Sequence, residues 1–197
     1  VMVQGVAPVT LPAPSSVFTS ASYYGLSNMA YGAMFLPQAV MAVAAALLGT
    51  GLTRRWGIKR IYLWGLSANL VSMVLLLLSQ FVVTNHPLAY GMLLVATTSL
   101  GIGFGLTVPS LNTLAAAFFP EKIDQAVLML NALLGMGTAL APVLVATFVG
   151  LGVWWGLPLL VAALLLGLLM FSLPLPLRAD STEIAQPIGR TGQQTKR

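Results

Sequence analysis

Six neutral side chains carry most of the chemistry this chain can offer: Gln4, Gln38, Asn69, Thr107, Asn112 and Asn131. Each sits in an apolar stretch, where an amide or hydroxyl can bond an uncharged polar solute or a neighbouring helix. A buried amide left unpaired costs about 1–3 kcal/mol, so each must face a partner or a wet cavity. Bonding between helices is the competing use, worth about 0.6 kcal/mol on average in a membrane protein. Gln4, Gln38, Thr107, Asn112 and Asn131 are the candidate substrate contacts, with Asn69 as a further neutral group. None of these stretches holds an Asp, Glu, Lys or Arg, the groups that mark proton relays and ion paths inside membranes. The chain contains no Ser/His/Asp constellation, phosphate-binding loop or pair of carboxylates within a span, so the sequence points away from an enzyme. His86 stands alone beside Pro87 with no second ligand near it, and no metal site or cofactor is expected. With no cysteine, thiol catalysis and Cys-based metal centres are excluded.

Charge lies only at the edges of those stretches. Residues 1–53, 61–120 and 125–177 contain no charged side chain. Arg54, Arg55, Lys59 and Arg60 separate the first two blocks, and Glu121, Lys122 and Asp124 the second and third. Only 7% of residues are charged, 58% are hydrophobic and the mean hydropathy is +0.92. A soluble domain carries about a quarter charged residues, so the expected surroundings are a lipid bilayer. The net charge of +5 is then no nucleic-acid footprint. Basic residues beside apolar spans follow instead from the cytoplasmic positive bias of membrane proteins.

The elements that position the six polar groups are expected to be transmembrane helices, giving an all-α, polytopic bundle. Residues 1–14 are too short to cross, since a span needs about 20 residues, and read as the outer end of a truncated first helix. Residues 15–28 form an external loop. Five spans follow over 29–53, 61–83, 88–119, 125–149 and 156–177, and residues 178–197 are a cytoplasmic linker. The fourth-helix stretch, 88–119, is long and carries Gly101, Gly103, Gly105 and Pro109, which predicts one long or bent helix. Trp154 and Trp155 are expected at the membrane interface. The opening Val1-Met-Val-Gln-Gly lacks a basic n-region, so no signal peptide is read there and a fragment of a longer chain is expected. If residues 54–60 are cytoplasmic, alternation of the spans places all nine Lys and Arg on that side. The positive-inside rule therefore orients the chain in a cell (inner) membrane with its basic loops and tail cytoplasmic.

The basic stretch resembles the signature loop between helices two and three of major facilitator superfamily transporters. Arg55-Trp56-Gly57 and Lys59-Arg60 match its basic-Gly-basic part, shifted by Ile58. Its first Gly falls at Thr50, between Gly49 and Gly51, and its Asp is replaced by Arg54. In the family that Asp anchors a charge network closing the cytoplasmic gate. Gly51, Arg54, Arg55, Gly57, Lys59 and Arg60 are the residues the resemblance assigns to this gating loop. Gly135-Met-Gly-Thr-Ala-Leu-Ala-Pro142 is similar to the family's fifth-helix motif. Gly135 and Gly137 are expected there to let helices approach, and Pro142 to permit a kink. The glycines of 101–105, the run Pro109-Ser-Leu-Asn112, Phe119-Pro120 and residues 130–137 resemble the fucose/glucose–galactose permease branch. That branch's fourth-helix carboxylate is missing, since Leu106 and Thr107 occupy the nearest positions.

The resemblance implies the N-terminal six-helix half of a secondary active transporter. Such a protein moves a small organic, sugar-like solute by alternating access around a midplane site. Asn112 and Asn131 become the favoured contacts, because their helices resemble the cavity-lining fourth and adjoining fifth. The implied partners are the C-terminal six-helix half, the substrate and the bilayer. The alternative reading is a non-transporting structural or accessory membrane subunit with five spans.

Overall fold

The computed structural model describes residues 1–11, 15–20 and 24–174, and among these every regular element is helical. The expected linker, residues 178–197, lies outside the described residues, as do residues 175–177 of the fifth expected span.

A short helix α1 (Met2–Val6) runs into a 3-10 turn at Ala7–Val9. Two further short helices follow, α2 (Ser15–Thr19) and α3 (Asn28–Ala33), the second capped by the Ser27 hydroxyl accepting from the Ala30 N–H. The long helices are α4 (Phe35–Trp56), α5 (Ile58–Ser79), α6 (His86–Phe118) and α7 (Ile123–Gly150), followed by α8 (Gly156–Ser172). Four helical stretches are long and apolar enough to cross a membrane: 28–56, 58–82, 86–118 and 120–150. Helix α8 has 17 residues, about 26 Å at 1.5 Å per residue, at the short end of what crosses a bilayer.

Helix α6 is the central post. It packs against α4 on one side and α5 on the other, and also touches α7, while α1 lies on α7 and α8 on α5. Its length, 33 residues, follows from an apolar run without any charge and from Asn85, whose side chain caps its first turn by accepting from the Leu88 N–H. Pro109 lies within the helix without ending it.

Two seams of small residues bring the helices together, as expected where packing replaces the hydrophobic drive. Gln38, Ala42, Ala45 and Gly49 recur at helical spacing on α4 and face Gly101, Gly105 and Leu106 of α6. A methyl on Gly101 would strike the Gln38 carbonyl, and one on Gly105 the Ala42 carbonyl. Gly5 of α1 and Gly137 of α7 form the second crossing, each packed on backbone of the other's helix. Across α5 and α6, Ser72 donates to the Ala96 carbonyl at 2.7 Å and Ser99 to the Ala68 carbonyl at 2.8 Å.

The connections gather at two ends. At one, Tyr24 bonds Ser79 at 2.7 Å, His86 Nδ1 donates to the Tyr24 carbonyl at 3.0 Å, and Trp154 meets the rings of Phe18 and Tyr24. Trp154 is thus buried in an aromatic cap, while Trp155 beside it is exposed. His86, exposed at the start of α6, ties that helix to the connection between α2 and α3. Arg54, Arg55, Lys59 and Arg60 lie at the opposite end, where Lys59 donates to the Leu173 carbonyl at 2.7 Å and Trp56 packs edge-on against Trp64.

Candidate functional site

The basic stretch expected as a loop is almost wholly helical. Arg54 and Arg55 form the last turn of α4, Lys59 and Arg60 the first turn of α5, and Gly57 alone is the reversal. Its φ of +83° and ψ of 149° belong to a region that glycine alone adopts readily. Arg and Lys are good helix formers, and two cations suit the negative end of α4, so the helices continue up to a single glycine. Gly51 lies on α4 with no neighbouring atom within 4 Å of where a Cβ would sit.

The polar candidates divide into three settings. Gln4 and Thr107 come together, and Asn69 joins them: Asn69 Nδ2 donates to Gln4 Oε1 at 2.7 Å, and Thr107 Oγ1 lies 3.4 Å from the same oxygen while donating to the Gly103 carbonyl at 2.8 Å. All three are buried and tie α1 to α5 and α6. Gln4 Nε2 and Asn69 Oδ1 remain without partners, so this core holds one spare donor and one spare acceptor. Gln38 and Asn112 are half-buried on α4 and α6, each with a buried side-chain oxygen lacking a partner. Asn131 is exposed on α7 and turns its Nδ2 back to the Val127 carbonyl at 2.9 Å. The structure therefore joins Gln4 to Thr107 and keeps Gln38, Asn112 and Asn131 apart from that cluster.

Asn131 belongs to a stripe. Asn131, Gly135, Thr138 and Pro142 recur at helical spacing, so they share one face of α7, and all four are exposed. Thr138 bonds only its own helix, at the Gly135 carbonyl. Gly135 has no atom within 4 Å of a would-be Cβ, so the close approach expected of it falls to Gly137 alone. Met136, Leu140 and Val143, also exposed, lie to the other side. Pro142 leaves α7 continuous from Ile123 to Gly150. Thr138 went unnoticed in the sequence because a lone threonine in an apolar helix carries no signal until its neighbours on the face are known.

At the basic end the α4–α6 seam opens into a wedge-shaped cavity of about 530 Å³. Gly49, Thr50, Thr53 and Arg54 form one wall, Gly105, Leu106, Pro109, Ser110 and Thr113 the other, and Ile61 contributes from α5. Among the described residues no group of three or more His, Cys, Asp and Glu could hold a metal.

These features define a class: a multi-pass membrane bundle with small-residue seams, neutral polar groups buried between helices, and a polar helix face left uncovered. The family model of the Major Facilitator Superfamily matches residues 2–195, and the chain belongs to that family of membrane transporters. No curated protein and no solved structure matches it.

Proposed function

We propose that this bundle is one half of a secondary active transporter, working by alternating access on a small uncharged, hydroxyl-bearing solute. The observation that carries the proposal is the exposed stripe Asn131, Gly135, Thr138 and Pro142 on α7. Asn131 spends one N–H on the Val127 carbonyl, but its Oδ1 makes no bond among the described residues, and an amide oxygen left so in hydrocarbon is costly, so this face belongs against water or a second bundle rather than lipid. The missing partner is a second six-helix bundle, and substrate passes between the two. Asn131, Asn112 and Gln38 are the groups we assign to substrate. Gln4 and Thr107 serve by holding α1 on α5 and α6 through Asn69. The amides of Asn131, Asn112 and Gln38 can each give and accept a bond, as a hydroxyl does. Neutral lining and glycine-rich α6 fit the fucose/glucose–galactose permease branch. The basic end is cytoplasmic in this reading, and Arg54 to Arg60 sit at the inner gate.

The absence of cysteine makes the face directly testable. Single cysteines at 131, 135 and 138, in bilayers holding the chain with its second bundle, should react with a charged, water-soluble thiol reagent, and substrate should slow that reaction. Cysteines at 136, 140 and 143 should stay unreactive. Protection of all six positions would overturn the proposal.

A further inference from the structure

We infer that the wedge between α4 and α6 at the basic end is a binding site for the headgroup of an acidic phospholipid. The inference stands apart from transport, since a lipid can seat here whether or not the bundle moves a solute. The wedge exists because the seam stops. Gly101 and Gly105 hold α6 against α4 as far as Ala45, and Leu106 covers Gly49. At that level the cavity begins, lined by Gly49, Gly105 and Leu106, and Gly51 further along α4 has no neighbour within 4 Å of a would-be Cβ. Its walls face each other across α4 and α6, and its position beside Arg54 puts it at headgroup depth, where the apolar span meets its basic end.

The chemistry of the lining selects the occupant. Among the described residues Arg54 is the one charged group on the wall, and no Asp or Glu lines it. The four hydroxyls each spend their proton on their own helix: Thr50 on the Leu47 carbonyl, Thr53 on Gly49, Ser110 on Leu106 and Thr113 on Pro109. They present lone pairs to the cavity. Pro109 has no N–H for the Gly105 carbonyl, which adds another acceptor on the α6 wall. A ligand suited to this wedge brings an anion for Arg54, hydroxyl donors for the acceptors, and an apolar body for Ile61 and Leu106. An acidic glycerophospholipid such as phosphatidylglycerol has all three. Basic pockets between helices at the membrane surface bind anionic headgroups by the same physics.

The test is native mass spectrometry of the purified chain released from micelles holding equal phosphatidylglycerol and phosphatidylcholine. The wild type should retain phosphatidylglycerol in preference to phosphatidylcholine. Arg54→Gln should reduce that preference about fivefold, the share one basic residue contributes at an anionic surface. Arg60→Gln, at the same end but off the wedge, should leave it intact. Thr113→Leu, which replaces a hydroxyl acceptor on the wall with a bulkier apolar group without changing charge, should weaken retention as well. Circular dichroism of each variant confirms that the helices persist. Equal losses from Arg54→Gln and Arg60→Gln would mean a diffuse surface charge and overturn the site. So would retention unchanged in Thr113→Leu, or a lipid-free dimer whose dissociation follows these substitutions, which would make the occupant protein.

Discussion

Gly137→Ala should destabilise the bundle while Gly135→Ala, two residues away on the same helix, should not. A Cβ on Gly137 would fall onto the Met2 carbonyl and within 3.0 Å of the Gly5 Cα. Both are backbone atoms of α1 and cannot rotate away, so the whole helix must lift. The reverse contact is equally tight, because a Cβ on Gly5 would strike the Leu134 carbonyl. Overpacking of this kind costs about 1–3 kcal/mol. Gln4 is the neighbour of Gly5, so lifting α1 also stretches its 2.7 Å bond to Asn69. A bond of that type is worth about 0.6 kcal/mol on average in a membrane, rising towards about 1–3 kcal/mol if the buried amide is left unpaired. Alanine returns up to about 1 kcal/mol of helix propensity. The net loss is then about 1–5 kcal/mol for Gly137→Ala, against no loss or a gain of up to about 1 kcal/mol for Gly135→Ala. SDS titration in mixed micelles, followed by tryptophan fluorescence, measures both. Equal midpoints for the two variants would refute the crossing. A cycle with Asn69→Leu adds a second check: if lifting α1 breaks the amide pair, the two changes are not additive.

The broad architecture was legible because it depends on sums. Three uncharged blocks and the basic residues that separate them are enough to indicate a bundle of long apolar helices, and local detail hardly alters that outcome. The gathering of residues 24, 86 and 154 at one end, away from Arg54 and Lys59, follows from the same alternation. The pairing of faces was not legible, since it depends on which side of a nearly uniform helix meets a neighbour. Gly135 and Gly137 are alike in sequence, yet one is exposed and the other lies under α1. Gln4 and Asn69 are separated by 65 residues, and only the packing of α1 over α5 makes them partners. The basic stretch was read as a loop because charge and glycine usually signal one. Here the charges sit on helix ends, and one glycine completes the turn.

Two further predictions concern the ends of the bundle. Gly57→Ala forces a side chain into a conformation with φ of +83° and ψ of 149°, at a cost of about 1–3 kcal/mol. The same SDS titration should show it, and an unchanged midpoint would mean that the reversal between α4 and α5 is not held in this geometry. The other concerns Tyr24, whose phenol is pushed from 10 up to about 12 by burial, with the Ser79 contact acting in the opposite direction. Ser79 gives its own proton to the Leu76 carbonyl at 2.7 Å, so Tyr24 is the donor in their bond and must stay protonated to make it. A raised pKa favours the neutral form, so the stabilisation is fully present below pH 10 and is lost as pH rises through about 12. Trp154, with its ring centroid 6.0 Å from Tyr24, reports on that end. Its fluorescence should be flat to about pH 10 and change between there and pH 12, in step with tyrosinate absorbance. Tyr24→Phe removes the titrating group and the bond, so it should lower stability at neutral pH by about 1 kcal/mol and flatten the change above pH 10. A fluorescence transition that survives in Tyr24→Phe would assign the titration to another group and detach Tyr24 from the integrity of this end.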